Sequence, residues 1–229
     1  MGGVREGRTG QARASRGTRL RAIAAAFTLA SLTLAPAARG DDVLDLGTNE
    51  PLAPPPPTHR AFFQYGIGIA AEAVASAGPI CSGVSNCIVG SGGGLAIRFG
   101  YRPDTDLYVG GAYEFSKQDA SELYRLGILQ QVRAEARRYF STGRETSPFL
   151  LVGVGAQGYG NEWSVDTWGP NATIGGGLEV ELGGPVLGVS LAYRPMYFQA
   201  WVDSSTISHD AGVAHFVSFE VTLEARDAL

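Results

Sequence analysis

Lysine is nearly absent from this chain of 229 residues, since Lys117 is the only one, and charged side chains make up 17% of the sequence. No segment shows a strong helical period, and the apolar stretch "AIAAAFTLASLTL" near the amino terminus is shorter than the ~20 residues that a spanning helix needs. The two cysteines form a lone pair with no histidine nearby in sequence, which is a weak metal signal. The sequence therefore predicts no spanning helix, no metal, no cofactor and no catalytic residue.

Residues 1–40 predict an export signal. The segment begins with arginine-rich sequence, continues with the short apolar run and ends in small residues before "DD", which are the parts of a secretory signal peptide. Cleavage after Ala37 or after Gly40 fits equally well. Residues 41–60 contain the run "PPPP" and predict an extended, disordered periplasmic linker.

Without residues 1–40 the chain has 11 basic and 21 acidic side chains and a formal charge of −10. A nucleic-acid partner is excluded on this ground, because it requires a basic face. Cys81 and Cys87 lie in "CSGVSNC", and an exported chain can oxidise them. We expect a local disulfide that closes one loop.

From residue 61 onward the sequence alternates with a period of two, which is typical of β-strands. The segments are longer than a usual strand of about 5–6 residues and match the ~9–11 tilted residues that cross a bilayer as β-structure. There are eight of them, at 61–73, 92–102, 107–117, 123–139, 148–159, 172–182, 186–197 and 213–225. The predicted fold is all-β, an eight-stranded antiparallel up-and-down transmembrane barrel over 61–225 with a tail at 226–229.

The connections alternate in length. "PDT", "STGRETS" and "GGP" are short, whereas "SAGPICSGVSN", "QDASE", "NEWSVDTWGPN" and "FQAWVDSSTISHDAG" are longer. Short turns at the periplasmic end and long loops at the outer end are typical of outer-membrane barrels. An even number of strands places both barrel ends on the periplasmic side, where the linker also lies.

The fourth segment indicates which face meets lipid. Val132 and Ala134 lie on one face, and Arg133 and Glu135 lie on the other. The polar faces combine Arg and Glu with many small residues and almost no lysine, as a narrow, crowded interior requires. The predicted interior charge network comprises Arg98, Glu114, Arg125, Arg133, Glu135, Arg137, Glu179, Arg194 and Glu220.

Counting across the hairpins places Arg98 near Glu114 and Glu114 near Arg125. It also places two glycines opposite Arg133 and Glu135, which leaves room for long side chains. The inward list holds seven glutamates (72, 114, 135, 179, 181, 220 and 224) against five arginines, so at least one glutamate is expected to be protonated, hydrated or near a rim. We favour a structural plug over a gated ion path, because eight strands leave an interior just filled by side chains.

Aromatic residues gather near the segment ends, as in the interfacial girdles of membrane barrels. All three tryptophans, Trp163, Trp168 and Trp201, lie in or beside the long loops. These loop aromatics are candidates for adhesive contacts, and girdle or loop packing is the alternative.

Segments such as "LAIRFGYRP", "LYVGGAYEF" and "FLLVGVGAQGYG" resemble the small outer-membrane barrels of the OmpA transmembrane-domain and OmpX type. The resemblance covers roughly 61–225 and rests on pattern rather than on a family-specific motif. It implies residence in the cell outer membrane, contact with lipid and lipopolysaccharide, recognition by the barrel-insertion machinery, and a monomer. The end "SFEVTLEARDAL" departs from the pattern, because it lacks the terminal aromatic that many such barrels carry.

Three functions compete. The first is a non-enzymatic surface barrel, not an open pore, with a structural, adhesive or interaction role through its loops. The second is a lipid A-modifying hydrolase, for which "TISHD" offers Ser208, His209 and Asp210, with His215 further on, although adjacent strand residues such as Ser208 and His209 point in opposite directions. The third is a soluble exported barrel for a small apolar ligand, which solubility without detergent would reveal.

Overall fold

The computed structural model describes residues 61–82, 86–103, 105–140, 146–203 and 206–228. The predicted signal peptide at 1–40 and the linker at 41–60 lie outside these residues. Within the described part of the chain, no helix is long and apolar enough to cross a membrane.

Ten strands and one 3-10 turn make up the regular structure of the described residues. The eight long strands are β1 (Phe62–Ser76), β2 (Gly92–Arg102), β3 (Leu107–Gln118), β4 (Gly127–Tyr139), β5 (Thr146–Asn161), β6 (Thr167–Glu181), β7 (Val186–Phe198) and β10 (Gly212–Ala228). Between β7 and β10, β8 (Trp201–Val202) and β9 (Ser208–His209) form a small separate hairpin. The 3-10 turn spans Gly78–Cys81 in the first long loop.

The eight long strands form a closed antiparallel barrel in which each strand pairs with its neighbours in sequence. Closure comes from β1 and β10, which pair continuously from Phe62 opposite Ala228 to Val74 opposite Phe216. The short connections lie at one end, which we call the turn end, and the long ones lie at the other, the loop end. The predicted fold class is confirmed.

Several strand boundaries differ from the sequence prediction, and two of the differences change where an arginine lies. β4 begins at Gly127 rather than at residue 123, because Ser121 and Glu122 have positive φ values of 49° and 66° and turn the chain sharply after β3. β10 continues to Ala228, so residues that were expected to form a tail are paired with the start of β1. The first difference moves Arg125 out of the barrel wall, and the second brings Arg226 into it.

Side chains alternate between a charged interior and an apolar exterior. Ile69 and Val154 on the outer surface are 68% and 66% exposed, whereas Glu114 in the lumen is fully buried. An ordinary soluble barrel has the opposite arrangement, with an apolar interior. The register of the strands therefore turns the apolar face of the chain outward.

The expected disulfide is present in the first long loop. Cys81 and Cys87 are joined, with their Cα atoms 5.1 Å apart. Both cysteines pack against a cluster of apolar side chains at the loop end.

Candidate functional site

Strand β4 supplies the central column of the lumen. Its inward positions are Gln131, Arg133, Glu135, Arg137 and Tyr139, and all five side chains are buried. Since alternate residues of a strand share a face, this spacing stacks cations and an anion along one wall of the barrel. The other strands complete the network around this column.

Arg98 on β2 bridges two carboxylates across the lumen. It donates to both carboxylate oxygens of Glu220, at 2.8 and 2.5 Å, and to Glu135 at 2.8 Å. The bidentate geometry is the strong form of an arginine–carboxylate contact. The register places Arg98 diagonally from Glu114 as expected, because Glu114 pairs with Ala96, but the ion pairs of Arg98 run across the lumen rather than along this hairpin.

Glu114 on β3 lies between two other cations nearer the loop end. Its Oε2 accepts from Arg133 at 2.8 Å and from Arg194 at 2.7 Å. Arg194 also contacts Glu72 at 3.3 Å and Glu220 at 3.4 Å. These shared partners join the charges into one connected network.

At the loop end of this network, the carboxylate of Glu72 is surrounded by neutral polar side chains. Its carboxylate accepts hydrogen bonds from Ser116 at 2.7 Å, from Gln118 at 2.5 Å and from Gln131 at 2.9 Å. Several neutral donors therefore solvate a buried carboxylate that contacts one arginine, Arg194, among the described residues.

Toward the turn end, Arg137 and Arg226 share the carboxylate of Glu179. Arg137 binds Oε1 at 2.8 Å, and Arg226 binds Oε2 at 2.6 Å. Arg137 also contacts Glu224 at 3.2 Å. Glu181, which was expected inside, is more than half exposed at the rim and pairs there with Arg226.

The described lumen contains equal numbers of arginine and glutamate side chains. Sequence reasoning missed Arg102 and Arg226: the parity of β2 already pointed Arg102 inward, whereas Arg226 lay beyond the predicted strand end. Arg102 has its guanidinium 3.9 Å from the centroid of the Tyr139 ring. The six glutamates are Glu72, Glu114, Glu135, Glu179, Glu220 and Glu224, and the six arginines are Arg98, Arg102, Arg133, Arg137, Arg194 and Arg226.

Arg125 does not belong to the lumenal network, which corrects the sequence prediction. It lies in the loop before β4 with its side chain 79% exposed, and it pairs with Glu162 of the loop after β5. The hydrogen bond and charge of the Arg125 guanidinium hold the pKa of the Glu162 carboxyl below its usual value. The pair joins two loops on the outside of the barrel.

A mixed cluster of strand and loop side chains closes the loop end. Trp201 is buried in it and donates to the hydroxyl of Tyr124 at 3.2 Å, while the hydroxyl of Tyr159 donates to the carbonyl of Ile88 at 2.5 Å. Burial raises the pKa of the Tyr124 phenol above its usual value. The buried members of this loop-end plug are Ile80, Ile88, Val89, Ala120, Tyr124, Leu129, Tyr159, Met196, Phe198, Trp201, Ala214 and Phe216.

The tryptophans occupy three different environments. Trp163 stacks on Phe115 of β3 with ring centroids 5.4 Å apart, and Trp168 lies on β6 rather than in a loop. Both are largely exposed on the outer wall near the loop end, whereas Trp201 is buried. Trp163 and Trp168 therefore have the positions of girdle residues, and Trp201 has a packing role.

The serine and histidine considered for hydrolysis are not arranged as a nucleophile and its base. His209 is buried, stacks on Trp201 and pairs with Asp203 at 3.1 Å, not with Asp210. Its other ring nitrogen, Nδ1, is buried without a protein partner, while Ser208 is exposed. No cluster of three or more potential metal ligands occurs among the described residues.

The architecture is that of the small eight-stranded outer-membrane barrels. No protein-family model and no curated protein matches the sequence. Among solved structures, the outer membrane protein OprG from Pseudomonas aeruginosa is similar at 12% identity, with 75% of this chain and 98% of that chain covered and a TM-score of 0.50. Neisserial surface protein A is similar at 14% identity, with coverages of 72% and 96% and a TM-score of 0.47. These comparisons concern the fold.

Proposed function

We propose that this chain is an integral outer-membrane protein with a closed lumen, no enzymatic activity, and a structural, adhesive or interaction role at its loop end. The observation that carries the proposal is the inverted polarity of the barrel wall. Large apolar side chains on every long strand face outward, and most of the lumenal arginines and glutamates are buried in ion pairs. Hydrocarbon is the solvent that suits such a surface.

The filled lumen favours a plug over an open pore. Ion pairs and aromatic side chains occupy the described interior from the turn end upward, and the loop-end plug lies above them. The same lumen is unsuited to a small apolar ligand, because burying an apolar molecule among charges would break their hydrogen bonds. The expected partners are outer-membrane lipid, lipopolysaccharide and the barrel-insertion machinery, and we propose a monomer.

Two valines provide a matched test of membrane residence. Val154 at mid-strand in β5 is 66% exposed, and Val202 in the loop-end hairpin is 60% exposed. In a bilayer, Val154→Arg should destabilise the folded barrel by about 2–4 kcal/mol, whereas Val202→Arg should have little effect. Urea unfolding in lipid vesicles measures both variants, and equal stabilities would contradict the proposal. Cell fractionation and heat-modifiable migration on gels provide independent checks.

The loop-end hairpin offers the exposed apolar surface on which an interaction role can be tested. Val202 and Ile207 are 60% and 37% exposed there. We expect Val202→Ser with Ile207→Ser to reduce adhesion of expressing bacteria to a cultured cell layer, because apolar contact area at the outer end is lost. Leu182→Ser at the turn end is the control, since Leu182 is 54% exposed on the opposite side of the membrane. Equal adhesion of all three strains would contradict an adhesive role.

A further inference from the structure

The outward-facing positions of the eight long strands, as far as the structure describes them, hold lysine or arginine at two places. Lys117 lies near the loop end of β3, and Arg138 lies near the turn end of β4. The lumenal arginines contact carboxylates or aromatic rings, whereas neither of these two outward cations forms an ion pair with a described residue. Cations on a membrane-facing wall pair with anionic groups or reach the headgroup layer, so each of the two positions points to a lipid headgroup.

Lys117 lies at the edge of an apolar, aromatic surface on the outer wall. Phe115 follows it toward the turn end on the same face of β3 and stacks on Trp163, which is largely exposed. The ladder neighbours of Lys117 are Gly93, which has no side chain, and Ile128, which is buried. The amine therefore has an uncovered flank toward β2 and an aromatic surface beside it on the membrane side.

A cavity of about 410 Å³ opens beside Lys117 at the base of the loop between β3 and β4. Its polar lining has two basic residues, Lys117 and Arg125, two acidic residues, Asp119 and Glu122, and the hydroxyl residue Ser91. Binding sites for small molecules are concave and combine apolar surface with a few placed polar groups. The cavity and the adjoining aromatic surface together have this composition.

The charges of the cavity select its ligand. Arg125 is paired with Glu162, so Lys117 is the cation of the lining that is left for an anionic group, and lysine binds phosphate as a point charge. Inorganic phosphate would also meet the carboxylates of Asp119 and Glu122, whereas a divalent cation would be repelled by Lys117. A phosphorylated sugar suits both signs, because its phosphate can bind the amine while its hydroxyl or amide groups donate to the carboxylates.

We propose that the cavity beside Lys117 is a binding site for the phosphorylated sugar of lipid A in the outer leaflet, with the acyl chains lying along Phe115 and Trp163. The inference rests on the proposed membrane residence with the loop end outward, and it specifies which lipid this end binds and through which residues. Exposed tryptophans mark the interface of a membrane barrel, and Trp163 lies beside Lys117 on the outer wall. The amine is thus at the level of the headgroup phosphates of that leaflet.

The unaltered chain allows a direct test, because Lys117 is its only lysine and lysine labelled with ¹³C at Cε gives one NMR signal. The barrel is inserted into phosphatidylcholine nanodiscs, its folding is checked by heat-modifiable migration, and lipid A is titrated in. We expect a saturable shift of the Lys117 signal with lipid A and none with dephosphorylated lipid A, inorganic phosphate or phosphatidylglycerol. An equal shift with any of these three overturns the proposal. Absence of a shift with lipid A in an inserted barrel also overturns it and leaves membrane residence intact.

The second outward cation provides a matched control. Lys117→Gln should weaken lipid A binding about tenfold, the effect of losing one charge-assisted hydrogen bond. Lys117→Arg keeps the charge and should retain binding, and Arg138→Gln should also retain it, because Arg138 lies at the turn end. Native mass spectrometry of the barrel in detergent measures the affinity by counting bound lipid A over a range of lipid concentrations. Unchanged affinity in Lys117→Gln, or equal losses in Lys117→Gln and Arg138→Gln, would contradict the proposed site.

Discussion

Replacing Glu114 by glutamine removes the only carboxylate that Arg133 contacts among the described residues. Arg194 is affected less, because it keeps its contacts with Glu72 and Glu220. Breaking a buried ion pair by removing one partner typically costs about 3–5 kcal/mol. The glutamine amide oxygen can still accept one hydrogen bond, so we expect a loss near the lower limit, about 3 kcal/mol. That is a large part of a typical stability of about 5–15 kcal/mol.

The assay is equilibrium unfolding by urea in lipid vesicles, followed by tryptophan fluorescence. We expect the Glu114→Gln variant to unfold at a lower urea concentration with an unchanged slope, which indicates a loss of stability rather than a change in compactness. Glu162→Gln is the matched control, because Glu162 pairs with Arg125 on the exposed surface of the loops. If both variants unfold at the same urea concentration as the parent, the reasoning from buried charge is refuted.

Three further predictions concern the loop disulfide, a strand glycine and a loop ion pair. Cys81→Ser with Cys87→Ser should make the first long loop more sensitive to protease while the β-sheet circular dichroism stays unchanged, because the disulfide closes only a local loop. Gly155→Ala should prevent folding as judged by gel mobility, because a Cβ at this position would lie 2.0 Å from the carbonyl oxygen of Val132, whereas Gly184→Ala should be tolerated because a Cβ there meets no atom within 4 Å. Since pairing with Arg125 lowers the pKa of Glu162, the ion pair should persist at neutral pH and be lost as the pH falls through that lowered pKa. The Arg125→Gln variant should therefore raise the pKa of the Glu162 carboxyl, as measured by NMR titration. An unchanged pKa in this variant would contradict the pairing.

The alternation of polar and apolar residues along the strands made it possible to predict the barrel from the sequence. The period of two assigned Arg133 and Glu135 to one face and Val132 and Ala134 to the other, and no tertiary information was needed for this step. Gly153 and Gly155 are also paired with Glu135 and Arg133 as the hairpin count expected. The local sequence pattern was therefore enough to predict the number of strands, which side chains point inward or outward, and much of the pairing register.

Partners across the lumen were not readable, because strand tilt in a closed barrel brings together residues from distant strands. Arg98 lies diagonally across the β2–β3 hairpin from Glu114, yet it binds Glu135 and Glu220. The start of β4 was predicted wrongly for a different reason. The alternation continues through residues 123–126, and only the positive φ values at Ser121 and Glu122 reveal that β4 has not yet begun.

The lumenal charges are better explained by register than by stability. Buried ion pairs add little net stability, because removing charges from water offsets much of their attraction. A one-residue slip of a strand, however, exchanges its two faces. With an apolar interior and a hydrocarbon exterior such a slip would cost little, since both faces would be alike.

In this barrel the same slip of β4 would turn Arg133, Glu135 and Arg137 toward lipid. The two arginines alone would cost about 2–4 kcal/mol each at mid-membrane, and less near the interfaces. Their carboxylate partners on β3, β6 and β10 would simultaneously lose these cations, and Arg98 on β2 would lose Glu135. The balanced set of arginines and glutamates thus penalises a one-residue slip of β4, while each individual pair contributes modestly to the stability of the correct register.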